Sequence, residues 1–119
     1  MTNTLAIAKD LVAMCREARF DEAGEKYWAA DVVSVEPAGD AAVSRGIAAA
    51  RAKGEAWMSA NEIHGFEAGD PYVNGDQFVV RFSIDQTVKA TGERMKLDEV
   101  GIYTLKNGKI AEERFFYGA

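Results

Sequence analysis

Three side chains stand where chemistry could be done. Glu36 ends a strand whose alternate residues Val33 and Val35 are apolar, and it directly precedes Pro37, which fixes the backbone and stops the strand. A carboxylate at a strand end facing a pocket can act as a general base. Desolvation by neighbours such as Trp28 or Trp57 would raise its pKa toward the useful range. Asp98 is the second candidate, and Glu99 follows it. Only one of two adjacent strand residues faces inward. Asp98 shares parity with Val100 and Ile102, whereas Glu99 shares it with Leu97, Gly101 and Tyr103. Both sets are partly apolar, so periodicity leaves the choice open. An inward Asp98 could stay protonated and donate a hydrogen bond to a developing oxyanion, or it could serve as a base. His64, the only histidine, is a further candidate acid.

Each has a plainer reading. Glu36 can be a solvated residue at a strand-to-turn junction. The Asp98-Glu99 pair can be matched at the surface by Arg81, Arg94, Lys96 or Arg114, a kind of pairing that contributes little. A lone histidine is more often structural than catalytic. No cysteine or histidine set has metal-ligand spacing, so neither a metal nor any other cofactor is expected. There is no Gly-rich phosphate loop, Ser elbow or Cys–His nucleophile pattern. The single Cys15 lies on the apolar side of a helix and reads as a small buried hydrophobe.

The elements that must position these residues read as follows. Thr4 to Ala18 carries Leu5, Ala8, Leu11, Val12, Cys15 and Ala18 at helical steps, with Thr2, Asn3 or Thr4 available as a cap. Asp21 to Trp28 suggests a second, shorter helix. Val32 to Glu36 suggests a short strand, stopped by the turn cluster Pro37-Ala38-Gly39-Asp40. A third helix spans about Ile47 to Ser59, weakened in its middle by Gly54. Four strands then form an antiparallel meander. Ile63 to Val73 leads through Asn74-Gly75 into Gln77–Val88, whose Phe78, Val80, Phe82, Ile84 and Val88 alternate with polar residues. Thr91-Gly92 breaks that run, Met95 to Leu105 follows, and Asn107-Gly108 turns the chain into Lys109 to Tyr117. Helices followed by strands imply an α+β fold, with a curved antiparallel sheet wrapped as a cone around the helices. An open-ended cone holds ligands.

At 119 residues with 48% hydrophobic and 28% charged residues, the chain reads as a single domain over 1–119. The net charge of −5, with no clustered run of Lys and Arg, argues against nucleic acid and anionic membrane surfaces as partners. No apolar run approaches the length of a membrane span and no signal peptide is read, so a cytoplasmic location is expected. Phe115-Phe116-Tyr117 puts aromatics on both faces of the last strand, which implies that both faces are covered, one of them by a second subunit.

The stretch from Trp28 to Gly39, with Glu36-Pro37 inside it and Gly46 opening a helix, resembles the ketosteroid isomerase and SnoaL-like members of the NTF2-like superfamily. The run Met95 to Val100, the segment Tyr103 to Ile110 and the closing Glu113 to Tyr117 are similar to that superfamily's final strands. The resemblance implies an α+β cone and a homodimer through the outer sheet face. It matches Glu36 to the base of the isomerase and Asp98 to the acid of its oxyanion hole. The tyrosine that completes that hole has Val12 at its position here. Proton transfer on a carbonyl substrate or another small apolar ligand is then the expected chemistry, by an isomerase, cyclase or lyase. Trp28, Trp57, Phe82, Val100 and Phe116 would shape the pocket. The alternative is a non-catalytic ligand-binding or dimerisation module of the same fold.

Overall fold

The computed structural model describes residues 3–37 and 42–117. Helix α1 (Thr4–Arg16) buries Ala8, Leu11, Val12, Met14 and Cys15, and Asn3 caps it by accepting the Ala6 N–H at 3.0 Å. The alternative cap Thr2 and the turn residues Ala38, Gly39 and Asp40 lie outside the described residues. Helix α2 (Phe20–Tyr27) follows, then β1 (Trp28–Val35), β2 (Val43–Arg45) and α3 (Ile47–Ala60). Trp28 therefore opens a strand instead of closing a helix. Gly54 does not interrupt α3.

The second half is β3 (Asn61–Ala68), β4 (Tyr72–Asn74), β5 (Gln77–Val88), β6 (Glu93–Lys106) and β7 (Lys109–Tyr117). The expected single strand Ile63 to Val73 is two strands, split where Pro71 cannot donate to a ladder. Both halves pair with β5. The β5–β6 ladder runs unbroken from Gln77↔Thr104 to Val88↔Glu93. Asn107 and Gly108 both have positive φ, 53° and 78°, as the tight hairpin between β6 and β7 requires.

The sheet order is β2-β1-β7-β6-β5-β3, with β4 on the flank of β5. The fold is α+β, three helices against a curved sheet. The sheet is mixed, not wholly antiparallel, because β1 returns to pair with β7 in parallel. Its inner face carries the core. Phe78 stacks on Tyr103 with ring centroids 4.8 Å apart, beside the fully buried Val80, Val32 and Ile110.

One irregularity decides which side chains of β7 face inward. Leu105 pairs with Ile110, yet Thr104 pairs with Glu112, so Ala111 is an extra residue in β7. Such a bulge reverses the parity of everything beyond it. Ile110 is buried before the bulge, and Glu113 is buried after it.

Candidate functional site

Four elements converge on one polar cluster. Ser34 of β1 and Glu113 of β7 are register partners, both buried, and the Ser34 hydroxyl donates to Glu113 Oε2 at 2.8 Å. The Trp28 indole N–H donates to the other oxygen, Oε1, at 2.6 Å. Both oxygens of Glu113 thus accept hydrogen bonds. Burial pushes its carboxyl above the ordinary range, against the opposing pull of those two donors. Gly24 makes room for this arrangement, since a Cβ there would sit 2.7 Å from the Trp28 ring.

Lys53 reaches in from α3, on the stripe that also carries Ala50 and Trp57. Its ammonium lies 2.9 Å from Glu36 Oε1, donates to the Ser34 hydroxyl, and sits 5.0 Å from the centre of the Phe115 ring. Ser34 therefore relays between a cation and a buried carboxylate, accepting from Lys53 and donating to Glu113. Glu36 lies just beyond β1, on the side of Val32 and Ser34, with its backbone N–H bonded to the Ala42 carbonyl at 2.9 Å.

Glu99 completes the set from β6. It pairs with Phe82 across the β5–β6 ladder, so a buried aromatic ring stands beside it. Among the described side-chain contacts it makes no hydrogen bond or ion pair. Its pKa is raised from 4.5 to about 7, chiefly by burial, with the Glu36 and Glu113 charges adding to the rise and Lys53 acting against it. Tyr117, the register partner of Glu99, borders the same place. Burial pushes its phenol up to about 12, with a hydrogen bond to Glu36 adding to the effect. Glu99 and Tyr117, with Pro37, Arg81, Asp98, Val100 and Phe116, line an open depression of about 440 Å³ where β7 ends beside β6.

The residues proposed from sequence divide across the molecule. Glu36 and Trp28 belong to the cluster. Phe82 is buried next to Glu99 and packs on Phe66 at 5.4 Å. Trp57 is half-buried on α3. Asp98 is not in the cluster: its side chain is 61% exposed on the outer face, 3.5 Å from Arg81. Buried Gly101, Tyr103 and Leu105 hold the odd-numbered residues of β6 inward, so Glu99 and not Asp98 faces the core. Val100 and Phe116 pair with each other on that same outer face. His64 is exposed on β3, 2.7 Å from the Thr87 hydroxyl, with β5 between it and β6. Sequence reasoning passed over Lys53, Ser34, Glu113 and Tyr117. Ser34 and Lys53 had a signal, parity with Glu36 and helical spacing from Trp57. Glu113 and Tyr117 were hidden by the bulge. Among the described residues, no group of three or more His, Cys, Asp or Glu is arranged to hold a metal ion.

The sequence pattern of the SnoaL-like domain matches residues 1–117. The chain belongs to the SnoaL-like domain family. This SnoaL-like domain is 50% identical to a Mesorhizobium loti protein provisionally described as a SnoaL-like polyketide cyclase, with carbohydrate phosphatase in brackets. The match covers 98% of this chain and 100% of that one, with a TM-score of 0.93. A Xanthomonas campestris protein with a cystatin-like fold superposes at TM-score 0.79, with 22% identity over 99% of this chain and 92% of that one. An NTF2-like protein from Burkholderia xenovorans does so at 0.76, with 22% identity over 97% and 88%. These two likenesses concern the fold alone. No curated protein matches the chain. No helix among the described residues is long and apolar enough to cross a membrane.

Proposed function

We propose that this SnoaL-like domain binds a small carbonyl compound and moves a proton on it, as an isomerase or cyclase. The observation that carries the reading is Glu99. It is a carboxyl of the inner cluster without a described partner, it borders the open depression, and it titrates near neutrality. An acid with that pKa both gives and takes a proton at physiological pH. Glu36, held by Lys53, takes the proton from the carbon next to the carbonyl. Glu99 gives its proton to the carbonyl oxygen, which leaves a neutral enol. Return of the proton to a different carbon is isomerisation; attack of the enol carbon on a second carbonyl is ring closure. The cyclase description of the Mesorhizobium loti protein fits the second outcome.

A homodimer through the outer sheet face belongs to the same proposal. Phe116, 53% exposed, lies there beside Val100, and a partner that covered the pair would take their apolar surface out of water. Asp98 and His64 carry no role in this reading.

The test is exchange of α-protons into D2O, followed by NMR over a panel of neutral ketones and 1,3-diketones. Wild type should exchange at least one class faster than buffer, and both Glu36→Gln and Glu99→Gln should lose about 10²-fold or more of that rate. Exchange no faster than buffer across the panel, with binding retained, supports the non-catalytic ligand-binding module instead.

A further inference from the structure

We infer that Tyr117 is a positioning residue of this site: its ring closes Glu99 off from water. The inference rests on the proposed role of Glu99 and adds to it the group that creates the acid's environment.

Three geometric observations carry it. Glu99 and Tyr117 form the final pair of the β6–β7 ladder, so their Cβ atoms stand on one face at about 5 Å, the spacing of a cross-strand pair. The bulge at Ala111 sets that shared face: continued without it from Leu105↔Ile110, the same sequence would put Phe116 opposite Glu99. Tyr117 also lines the depression together with Glu99 and Pro37, and Glu36 directly precedes that proline. Tyr117 thus stands beside Glu99 at the mouth of the depression.

The ring, not the hydroxyl, supplies the cover. Phe82 covers Glu99 from the β5 side and is buried. On the β7 side the neighbour is Tyr117, which is 39% exposed at the rim. Its ring is the apolar surface between Glu99 and solvent. The titratable groups that face Glu99 are Glu36 beyond β1, Lys53 on α3 and Glu113 on β7, with the buried Tyr103 two residues along β6. Removing the ring admits water that screens all of them. Removing only the hydroxyl leaves the cover in place. A ligand that reaches Glu99 must take over the ring's position, so entry and desolvation of the acid are coupled.

The experiment is a 13C NMR titration of the glutamate side-chain carboxyls in the full chain, with Glu99→Gln fixing the assignment. In Tyr117→Ala the Glu99 midpoint should fall by about one pH unit or more toward 4.5, as water returns. Tyr117→Phe should restore it to within about 0.3 unit of wild type, because an apolar ring of the same size desolvates equally well. Tyr117 is partly exposed at a strand end, so both variants should keep the wild-type far-UV spectrum. A raised Glu99 midpoint that survives Tyr117→Ala overturns the inference and leaves the role of Glu99 standing. A wild-type Glu99 that titrates at the ordinary 4.5 overturns both.

Discussion

Replacing Gly24 by alanine sets two effects of opposite sign against each other. Gly24 lies inside α2, where alanine is intrinsically better than glycine by about 1 kcal/mol. A surface helix would gain that amount. Here the added Cβ would lie 2.7 Å from two atoms of the Trp28 ring and 3.0 Å from a third. The indole cannot swing away freely, because its N–H is tied to the buried Glu113 at 2.6 Å. If the ring stays, the overpacking costs about 1–3 kcal/mol. If it moves, a hydrogen bond to a buried carboxylate is lost, which costs about 1.5–3 kcal/mol. Either cost exceeds the helix term at mid-range, so Gly24→Ala should destabilise by about 1–2 kcal/mol net. Guanidinium unfolding reads this as a lower midpoint at unchanged slope. Trp28→Phe removes the outer ring atoms that the new methyl would meet. In that background Gly24→Ala should therefore become neutral or stabilising, with a coupling energy of about 2 kcal/mol. A stabilising Gly24→Ala in the wild-type background would refute the packing argument outright.

Other outcomes follow from the site and its surroundings. Glu99 titrates higher in the folded chain than its unfolded value of 4.5, so its ionisation opposes folding: stability should fall as pH rises from about 4.5 through about 7 and then level off. The full difference is about 3 kcal/mol or slightly more before allowance for partial exposure, and less after it. Glu99→Gln should flatten that part of the pH–stability curve. Asp98→Asn removes one end of an exposed pair with Arg81; stability should stay within about 0.5 kcal/mol of wild type, with α-proton exchange unchanged. Gly101→Ala would set a Cβ 2.9 Å from the Tyr103 ring and 3.2 Å from that of Phe115. With Tyr103 buried against Phe78, a loss of about 1–3 kcal/mol is expected by thermal unfolding. Burial, with the Glu113 charge adding to it, pushes the Cys15 thiol up to about 12. Ellman's reagent should therefore leave Cys15 unmodified in the folded chain and react only after denaturant is added.

The helices and the long hairpins were legible because their signals are local. Alternation from Phe78 to Ile84 gave the inner face of β5, and Asn107-Gly108 gave the turn into β7. Gly54 weakened the reading of α3 without breaking the helix, since it adds only a small cost to a segment held by packing. The parallel pairing of β1 with β7 was not legible, because no local pattern encodes a contact between residues 79 positions apart, such as Ser34 and Glu113. The choice between Asp98 and Glu99 failed for a different reason. Val100 and Ile102 are apolar but lie on the outer face, so apolarity did not distinguish core from exterior on β6. Gly101 and Tyr103 held the answer. A glycine on the inner face of a strand makes room for large neighbours, here Tyr103 and Phe115, and Glu99 shares their side.

The single extra residue in β7 has a consequence for how such sites arise and vanish. Ala111 works like a shift of reading frame within a strand: before it one set of residues is read as interior, after it the other. Glu113, Phe115 and Tyr117 are read inward, while Glu112, Arg114 and Phe116 are read outward. The chain could lose Ala111 and still pair Thr104 with Glu112, keeping every acid where it is. Gain of one residue just beyond Glu113 would exchange the two faces from there to the strand end. It would carry Tyr117 away from Glu99 and bring Phe116 to the rim, while altering composition hardly at all. Relatives of near-identical composition can therefore differ in chemistry through one position of backbone pairing. Comparing them residue by residue is meaningful only after their bulges have been aligned.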